Sequence, residues 1–447
     1  MTTETASACS DMAGLRRRRS RRASDAFYLI AASHGIMSTR HSQSQATIAA
    51  RGNARVQPMP DAPPNFSILC FSHLIWEETL FQRPQQIMRQ FQRMGHAVAY
   101  LSMTGTRRWL RLRWGQPRMP LAGVSPDGVR FRTMAHLPLA HRLTFLKPID
   151  PLRLRAAARA ARRQLPPGPV VLWLYHPDLA PSLAPVPRDL LVYDVMDPFD
   201  AFERSGALTP HHERQLLRDA DVVFTGGRAI HERKAPLRPD AECFPSGVEA
   251  DHFGRALHDA TPAAPELATL PHPVLGYIGA IDERIDFRLV EDVCRARPGW
   301  SFVFIGPLIE MKRPPVDAPN FHYLGPRPYA RLPEYLKGFD VATMPFVQSP
   351  LTAHISPTKT PEYLAAGRPV VSTPIRDVER DYGDVVLFAR GAAAFATACE
   401  RALAQPRDWA AALAHRAAAA SWETIARRMR DTVAARLAAK GGTSRGR

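Results

Sequence analysis

Short apolar runs recur along the chain and alternate with stretches of helical period. The runs lie at residues 67–72, 97–101, 170–175, 190–194, 221–225, 274–278, 301–305, 321–324, 341–345, 369–372 and 385–388. Runs of roughly four to eight apolar residues are typical of strands that are buried on both faces. A helix is predicted from about Arg83 to Met94, because Pro84 suits a first helical turn and Gly95 a C-terminal cap. This alternation predicts parallel sheets that are covered by helices.

Two such series follow one another, and they predict an α/β protein with two Rossmann-like domains. We expect the first domain at residues 65–255 and the second at 274–410, joined by a linker at 256–273 that contains several Ala and Pro residues. Residues 411–447 continue an almost wholly helical, Ala- and Arg-rich C-terminal region. Ligands of doubly wound sheets bind at the carboxyl ends of the strands, so two such edges would form an interdomain cleft in which two substrates can meet.

Composition narrows the class of protein. No stretch approaches the roughly 20 consecutive apolar residues that a membrane-spanning helix needs. The cysteines are scattered singly, without a Cys-x-x-Cys pair or zinc spacing, at Cys9, Cys70, Cys243, Cys294 and Cys399. Such usage fits a reducing compartment and no structural metal. We therefore expect a cytoplasmic protein.

The net charge of +17 predicts an attraction to something anionic. Nucleic acid, an anionic lipid surface and phosphorylated substrates all fit, and charge alone leaves them open. Part of this excess positive charge lies in residues 1–64, which are rich in Ser, Thr, Ala and Arg and end in a Pro-rich stretch. This segment is predicted to be a disordered basic tail or to be extraneous to the native protein.

The richest candidate chemistry lies between residues 354 and 371. A loop enters a short helix at Pro361, Gly367 ends that helix, and a buried strand follows. Glu362 falls in the first helical turn, where its carboxylate could accept two hydrogen bonds from vicinal hydroxyls such as those of a ribose. Lys359 and the helix N-terminus would offer positive potential to phosphates. The alternative is that Glu362 only complements the helix dipole and that Lys359 is a solvated loop charge.

This segment, His-Ile-Ser-Pro-Thr-Lys-Thr-Pro-Glu-Tyr-Leu-Ala-Ala-Gly-Arg-Pro-Val-Val, resembles the nucleotide-sugar-binding segment of retaining GT-B glycosyltransferases. That group contains the phosphatidylinositol mannosyltransferases and many exopolysaccharide enzymes. The resemblance implies that Glu362 binds the ribose of the donor and that Pro357 lies on the donor side. Many members carry a second Glu eight positions before the first, where this chain has His354. A carboxylate's role is lost there, although His354 could still donate a hydrogen bond to the donor sugar.

The resemblance extends over most of residues 66–430. It includes the segments Trp76–Gln86, Tyr193–Phe199 and Phe244–Phe253. It implies the GT-B fold, in which two Rossmann-like domains face an interdomain cleft and the C-terminal helices cross back to the N-terminal half. Trp422 would anchor that return.

The loop after residues 274–278 faces the diphosphate in this family and often carries a basic residue. Here Ala280 directly follows Gly279, so Arg284 is the nearest basic candidate, with Lys359 as its partner. Such cations would stabilise the diphosphate leaving group as negative charge develops on it. The alternative for Arg284 is a surface ion pair with Glu283 or Asp286.

Further candidates follow predicted strands of the first half. His176 comes directly after residues 170–175, and its imidazole could hydrogen-bond a sugar hydroxyl or move a proton near pH 7. Related enzymes carry a His near the transferred sugar at the corresponding place, whereas a lone His is otherwise structural or solvated. His73 and Asp197 also follow strands and are acceptor-side candidates. Asp194 and Asp197 are spaced Asp-x-x-Asp rather than Asp-x-Asp, so no metal is assigned.

The segment Arg107–Trp114 alternates Arg with aromatic and aliphatic residues. Trp109 and Trp114 can sit at a headgroup boundary while the arginines meet lipid phosphates. Further arginines between Arg153 and Arg163 add a second basic patch. We expect a peripheral contact with the inner face of the cell membrane and no nucleic-acid partner. The alternatives are single-stranded nucleic acid binding and an ordinary solvated helix.

These features predict a glycosyltransferase of hexosyltransferase type. It would move a sugar from a nucleoside-diphosphate sugar to a hydroxyl of a glycan or lipid-linked acceptor in surface or exopolysaccharide synthesis, with no cofactor. The resemblance implies retention of configuration, with the diphosphate itself assisting. His176, Arg284 and Lys359 are the predicted catalytic residues. The alternatives are a nucleotide-sugar 2-epimerase on the same fold and a basic binding protein whose catalytic residues have decayed.

Overall fold

A computed structural model describes most of the chain after residue 64. The described residues are 65–76, 81–115, 119–137, 148–197, 199, 206–349, 352, 355–406 and 408–444. The predictions for residues 1–64 and for His354 lie outside these residues.

The strands of the described residues fall in the two series that the sequence predicts. In chain order they are β1 (Ser67–Ser72), β2 (Val98–Thr104), β3 (Ala122–Val124), β4 (Arg130–Ala135), β5 (Val170–Leu174), β6 (Leu190–Val195), β7 (Val222–Thr225), β8 (Glu242–Cys243), β9 (Val274–Ile278), β10 (Ser301–Ile305), β11 (Phe321–Gly325), β12 (Val341–Met344), β13 (Val370–Ser372) and β14 (Val386–Phe388). Every residue of β1, β5 and β10 is buried, as expected for strands of parallel sheets covered on both faces.

Helices separate most of these strands. In chain order they are α1 (Arg83–Arg93), α2 (Thr106–Trp114), α3 (Ile149–Arg163), α4 (Ala180–Leu183), α5 (Thr209–Asp219), α6 (Arg228–Lys234), α7 (Ala250–Gly254), α8 (Phe287–Ala296), α9 (Leu332–Lys337), α10 (Lys359–Ala365), α11 (Arg376–Tyr382), α12 (Ala392–Leu403), α13 (Trp409–Ala418) and α14 (Trp422–Ser444). Among the helices of the described residues, none combines the length and apolar character that a membrane crossing requires.

The chain forms two compact units. The first contains the described part of Met1–Pro84 together with Phe91–Val192 and the chain from Arg428 onward. Its strands lie in the order β3-β4-β2-β1-β5-β6. β1 is parallel to β2 and β5, while β3 runs antiparallel to β4 at the edge of the sheet.

The second unit contains Gln85–Gln90 and Tyr193–Arg427. The last three residues of β6 belong to it and are followed in sheet order by β7 and β8. Its main sheet has the order β11-β10-β9-β12-β13-β14, parallel throughout. This doubly wound order brings the carboxyl ends of β9, β10 and β12 to one edge, which is where such sheets bind ligands.

The core of the second unit extends into the segment expected to be a linker. Within residues 256–273 the chain makes two short 3₁₀ turns, and Ala256, Ala264 and Leu267 are buried in that core. Trp422 is also buried in this unit, where a Cβ on Gly247 would lie only 2.8 Å from its ring. The helix that begins at Trp422 then continues into the first unit from Arg428.

The predicted buried strands are confirmed with shifts of a few residues at their ends. β3 and β4 were not predicted from the sequence. In β4 the exposed Arg130 and Arg132 alternate with the buried Phe131 and Thr133, so no continuous apolar run marks the strand.

Candidate functional site

The segment singled out in the sequence forms a loop, a short helix and a strand, as predicted. α10 begins at Lys359, and Glu362 lies in its first turn. The helix ends where Gly367 adopts a φ of 66°, the left-handed conformation that glycine tolerates at a C-terminal cap. Strand β13 then follows within three residues.

Tyr363 ties this helix to the carboxyl end of β9. Its hydroxyl donates to the carbonyl of Ile278 at 3.1 Å and accepts from the N–H of Ile278 at 2.9 Å. The side chain is almost fully buried. Lys359 and Glu362 are therefore held beside the end of β9 by a contact that links residues 85 positions apart.

The predicted loop glycine, Gly279, lies directly under the side chain of Lys359. A Cβ added to Gly279 would stand 2.1 Å from Cε and 2.6 Å from Nζ of Lys359. Gly306, which follows β10, approaches from the neighbouring strand, because a Cβ there would stand 1.8 Å from the carbonyl oxygen of Gly279. The two glycines allow the ends of β9 and β10 and the lysine to meet without intervening side chains.

Burial shifts both charged groups of α10 toward their neutral forms. It lowers the pKa of Lys359, and the charge of Glu362 opposes that shift. It raises the pKa of Glu362, against the opposing effects of Lys359 and of the Thr358 side chain. A cation and a carboxylate in a desolvated setting interact more strongly with a bound ligand than the same groups would in water.

Arg284 lies at the same edge, but its ion-pair partner is neither Glu283 nor Asp286. The carboxylate of Asp282 accepts from Nε of Arg284 at 2.9 Å and from Nη2 at 2.5 Å. Asp282 is buried, whereas about a third of the Arg284 side chain is exposed. The structure therefore places Gly279, Arg284, Lys359 and Glu362 in one unit, at one end of its parallel sheet.

Sequence reasoning missed a carboxylate beside this cluster. Glu249 is paired with Arg89, accepts from Nε2 of Gln86 at 3.0 Å, and accepts from the hydroxyl of Tyr329 at 2.7 Å. The ring of Tyr329 in turn stacks on His252 with 4.3 Å between centroids. Burial raises the pKa of Glu249, but Arg89 and these hydrogen bonds bring it below its ordinary value.

The charge of Glu249 reaches the α10 cluster, since it contributes to the raised pKa of Glu362. Glu362 likewise contributes to the raised pKa of the Tyr329 hydroxyl, after burial and Glu249. The segment Phe244–Phe253 had been noted for its resemblance, but Arg89 and Gln86 come from about 160 positions earlier. A contact at that separation leaves no local pattern.

In the first unit, His73 and His176 lie together. They follow the neighbouring strands β1 and β5, and their rings meet edge to face with 5.4 Å between centroids. His176 accepts a hydrogen bond from the N–H of Asp178 at its Nδ1, 3.2 Å away. Burial, with contributions from His176 and Arg108, lowers the pKa of His73 to about 3. The prediction that both histidines lie at the carboxyl edge of the sheet is thus confirmed in position, and their roles stay predictions.

The remaining described candidates are Asp197 and Pro357. Asp197 follows β6 in the second unit, and burial raises its pKa to about 6. Pro357 lies half-buried in the loop before α10, and its neighbour Ser356 accepts at its carbonyl from the hydroxyl of Ser246 at 3.0 Å. No group of three or more His, Cys, Asp or Glu residues within the described ranges is arranged to hold a metal ion.

The family-profile match to known sequences lies within the second unit. The profile of the family described as Glycosyl transferases group 1 matches residues 272–405. A protein of Bacillus subtilis (strain 168), TuaH, named as a teichuronic acid biosynthesis glycosyltransferase, is 26% identical over 264 residues, 53% of this chain. The match covers 64% of TuaH, so the chain corresponds to slightly less than two thirds of that relative.

Solved structures match most of the chain. Sucrose-phosphate synthase of Thermosynechococcus elongatus has a TM-score of 0.61 at 16% identity, covering 84% of this chain and 100% of that one. A trehalose-6-phosphate structure from E. coli bound with UDP-2-fluoro glucose has a TM-score of 0.56 at 11% identity, covering 82% of this chain and 99% of that one. HepE of Anabaena in complex with UDP has a TM-score of 0.56 at 12% identity, covering 83% of this chain and 100% of that one.

At these identities the structural matches show the fold alone, which is α/β of the GT-B type. The predicted fold class is therefore confirmed. The profile match over residues 272–405, the Bacillus relative and this fold make the chain similar to the group 1 glycosyltransferases.

Proposed function

We propose that the chain transfers a sugar from a nucleoside-diphosphate sugar to a hydroxyl of a glycan or lipid-linked acceptor, in the synthesis of a surface polysaccharide. The donor binds to the second unit and the acceptor to the first. The named activity of TuaH and the UDP ligands of the E. coli and Anabaena structures support this assignment.

The observation that carries the proposal is the placement of Lys359 and Glu362 beside Gly279. A nucleoside diphosphate needs a cation for its phosphates and an acceptor for its ribose hydroxyls. Lys359 lies over bare backbone at the carboxyl end of β9, and Glu362 is in the same first turn of α10. This arrangement matches the two halves of such a ligand with one cation and one carboxylate.

In the proposed reaction, the bond from the anomeric carbon to the diphosphate breaks as the acceptor oxygen attacks from the same face. A diphosphate oxygen takes the proton of the acceptor hydroxyl, and configuration is retained. Lys359 and Arg284 stabilise the charge that develops on the leaving diphosphate. Glu362 holds the ribose.

A thermal-shift panel of UDP, GDP, ADP and dTDP and their sugars tests the donor site. A nucleotide at a hundred times its dissociation constant should stabilise the fold by about 2.7 kcal/mol. Glu362→Gln should abolish the shift. Glu283→Gln removes the same charge from an exposed position in the loop of Arg284, and it should preserve the shift. A flat response of the wild type to every nucleotide would contradict the proposal.

The same samples separate the alternatives. Mass spectrometry that finds an isomerised donor and no sugar transferred to an acceptor would identify a nucleotide-sugar 2-epimerase. A wild type that binds no nucleotide but still binds anionic lipid or RNA would identify a decayed binding protein.

For the membrane contact, the structure revises the expected face of α2. Trp109 is half-buried, and its indole N–H donates to the carbonyl of Thr133 at 3.2 Å. Of the exposed positions of α2, Arg107, Leu110, Arg111 and Trp114 follow a spacing of three and four residues, and Arg113 is exposed as well. Trp114 is 63% exposed. We propose that this stripe rests on an anionic bilayer, with Trp114 and Leu110 at the headgroup boundary.

Sedimentation with vesicles tests the stripe. We expect binding to vesicles of phosphatidylcholine with phosphatidylglycerol, weaker binding to phosphatidylcholine alone, and loss of binding at high salt. Trp114→Ala with Arg111→Gln should lose the binding, while Arg288→Gln on the second unit should keep it. Equal binding to both kinds of vesicle, or binding to a single-stranded RNA instead of either, would contradict this contact.

A further inference from the structure

Asp282 holds the guanidinium of Arg284 along one edge. Its Oδ1 accepts from Nε at 2.9 Å, and its Oδ2 accepts from Nε at 3.1 Å and from Nη2 at 2.5 Å. Oδ1 also accepts from the backbone N–H of Arg284 at 3.0 Å. A two-pronged contact of this kind fixes the plane of an Arg side chain, which a single point contact does not.

The backbone that carries this pair is fixed on two sides. Ile281 donates to the carbonyl of Pro307 at 3.0 Å, and Ile309 donates back to the carbonyl of Ile281 at 2.9 Å. On the other side, Val347 donates to the carbonyl of Arg284 at 2.8 Å. The loop is thus bonded to the segments that follow β10 and β12, and the Asp282 carboxylate is buried within it.

We propose that Asp282 is the positioning residue of the diphosphate site. It occupies the Nε edge of Arg284 and directs the Nη1 edge to the leaving diphosphate. This inference rests on the proposed donor site in the second unit. It assigns a role to a residue that would not contact the substrate itself.

A positioning role for Asp282 differs from a purely structural role in its effect on binding and on turnover. The buried carboxylate of Asp282 places a negative charge near the diphosphate, which opposes binding of the nucleotide. The same carboxylate fixes the cation that the transition state needs. Removing the charge while keeping the shape should therefore tighten nucleotide binding and slow turnover, two effects of opposite sign.

Asp282→Asn is the variant that tests whether nucleotide affinity and turnover change in opposite directions. By calorimetry we expect the dissociation constant of UDP or GDP to fall by about threefold to tenfold, from loss of a nearby like charge. We expect release of nucleoside diphosphate from UDP-glucose or GDP-mannose, whichever the wild type turns over, to slow about 10- to 100-fold because the cation is misplaced. Glu283→Gln, at the next and exposed position, should change neither quantity.

A double-mutant comparison tests whether Asp282 acts through Arg284. In an Arg284→Gln background, adding Asp282→Asn should leave turnover unchanged within roughly twofold. The reason is that Asp282 acts through Arg284, and Arg284→Gln has already removed that shared function. Asp282→Glu keeps the carboxylate and should recover part of the turnover that Asp282→Asn loses. If Asp282→Asn does not fold, the Asp282→Glu variant alone must show reduced turnover with nucleotide affinity near that of the wild type.

Two failures can be told apart. A wild type that binds no nucleoside diphosphate would overturn the proposed function and this assignment with it. If the wild type binds nucleoside diphosphate, a different result would overturn only the positioning role. In that result Asp282→Asn binds the nucleotide more weakly, and it slows turnover both in the wild type and in the Arg284→Gln background.

Discussion

The ammonium nitrogen of Lys359 lies 5.5 Å from the centroid of the Tyr277 ring. Tyr277 is itself fixed, because its hydroxyl donates to the carbonyl of Ala280 at 2.8 Å. An aromatic face attracts a cation without neutralising it, and such contacts are worth roughly 0.5–2 kcal/mol. This contact fixes the position of Lys359 and leaves its amine able to meet an anionic ligand.

Gly279→Ala should disable the donor site without unfolding the protein. The new Cβ would collide with Cε of Lys359, and the φ of 154° at Gly279 is one that residues other than glycine rarely adopt. We expect nucleotide affinity, measured by calorimetry, to fall at least about tenfold as the cation is displaced, or 1.4 kcal/mol. Gly299→Ala, where no atom lies within 4 Å of the added Cβ, is the matched control. Unchanged affinity in Gly279→Ala would show that Lys359 does not meet the nucleotide.

Nucleotide binding should weaken as the solution becomes acidic. Only the ionised carboxylate of Glu362 can accept two hydrogen bonds from a ribose, and burial raises its pKa above the ordinary value. Affinity is therefore present above this raised pKa and is lost as the pH falls through it. Titrations of UDP and GDP between pH 8 and pH 5 measure the effect. Glu362→Gln should bind weakly with a flatter profile, and an equally steep profile in that variant would assign the pH dependence to another group.

His73 should remain neutral at every pH at which the protein is active. Burial lowers its pKa to about 3, below the unfolded value near 6.5. Since the unfolded chain takes up this proton first, the free energy of unfolding should decrease by up to about 2 kcal/mol between pH 7 and pH 5. His73→Gln should reduce that slope, with the exposed His258→Gln as control. An NMR titration that shows the imidazole of His73 charging near pH 6 would contradict the prediction.

The buried ion pair between Lys234 and Glu213 should be sensitive to removal of either partner. Nζ of Lys234 lies 2.9 Å from Oε2 of Glu213, both side chains are 2% exposed, and Tyr193 donates to the same carboxylate. Lys234→Met or Glu213→Leu alone should reduce the free energy of unfolding by about 3–5 kcal/mol, because a charge is left buried without its partner. The double variant should recover most of that loss.

Chemical denaturation measures the effect of the buried pair. The exposed pair of Arg427 and Glu423, four residues apart on α14, is the matched comparison, and its removal should cost less than about 1 kcal/mol. Single variants of the buried pair that cost no more than this exposed pair would contradict the prediction.

The strands of the central parallel sheets could be predicted because burial on both faces leaves continuous apolar runs. The order of loop, helix and strand around Glu362 was predictable for a related reason, since Pro361 and Gly367 mark the two ends of the helix. Strand β4 was not predictable in this way, because one of its faces is exposed and carries Arg130 and Arg132.

The partners of the site residues could not be read from the sequence. Three acidic residues flank Arg284 at positions 282, 283 and 286, and only the bending of the loop selects Asp282. The ion pair of Arg89 with Glu249 joins positions far apart in the chain and depends on the tertiary structure alone. The sequence thus indicated which chemistry was present, and packing determined which groups meet.

Gly279 and Gly306 limit how the proposed donor site can be redesigned. A Cβ on Gly306 would stand only 1.8 Å from the Gly279 carbonyl oxygen, so a side chain there would separate the ends of two central strands, whereas a Cβ on Gly279 would collide with Lys359. Library mutagenesis aimed at new sugar donors should leave Gly279 and Gly306 unchanged. Variation belongs instead on the exposed Tyr329 and its neighbours, where a change of side chain leaves the sheet intact.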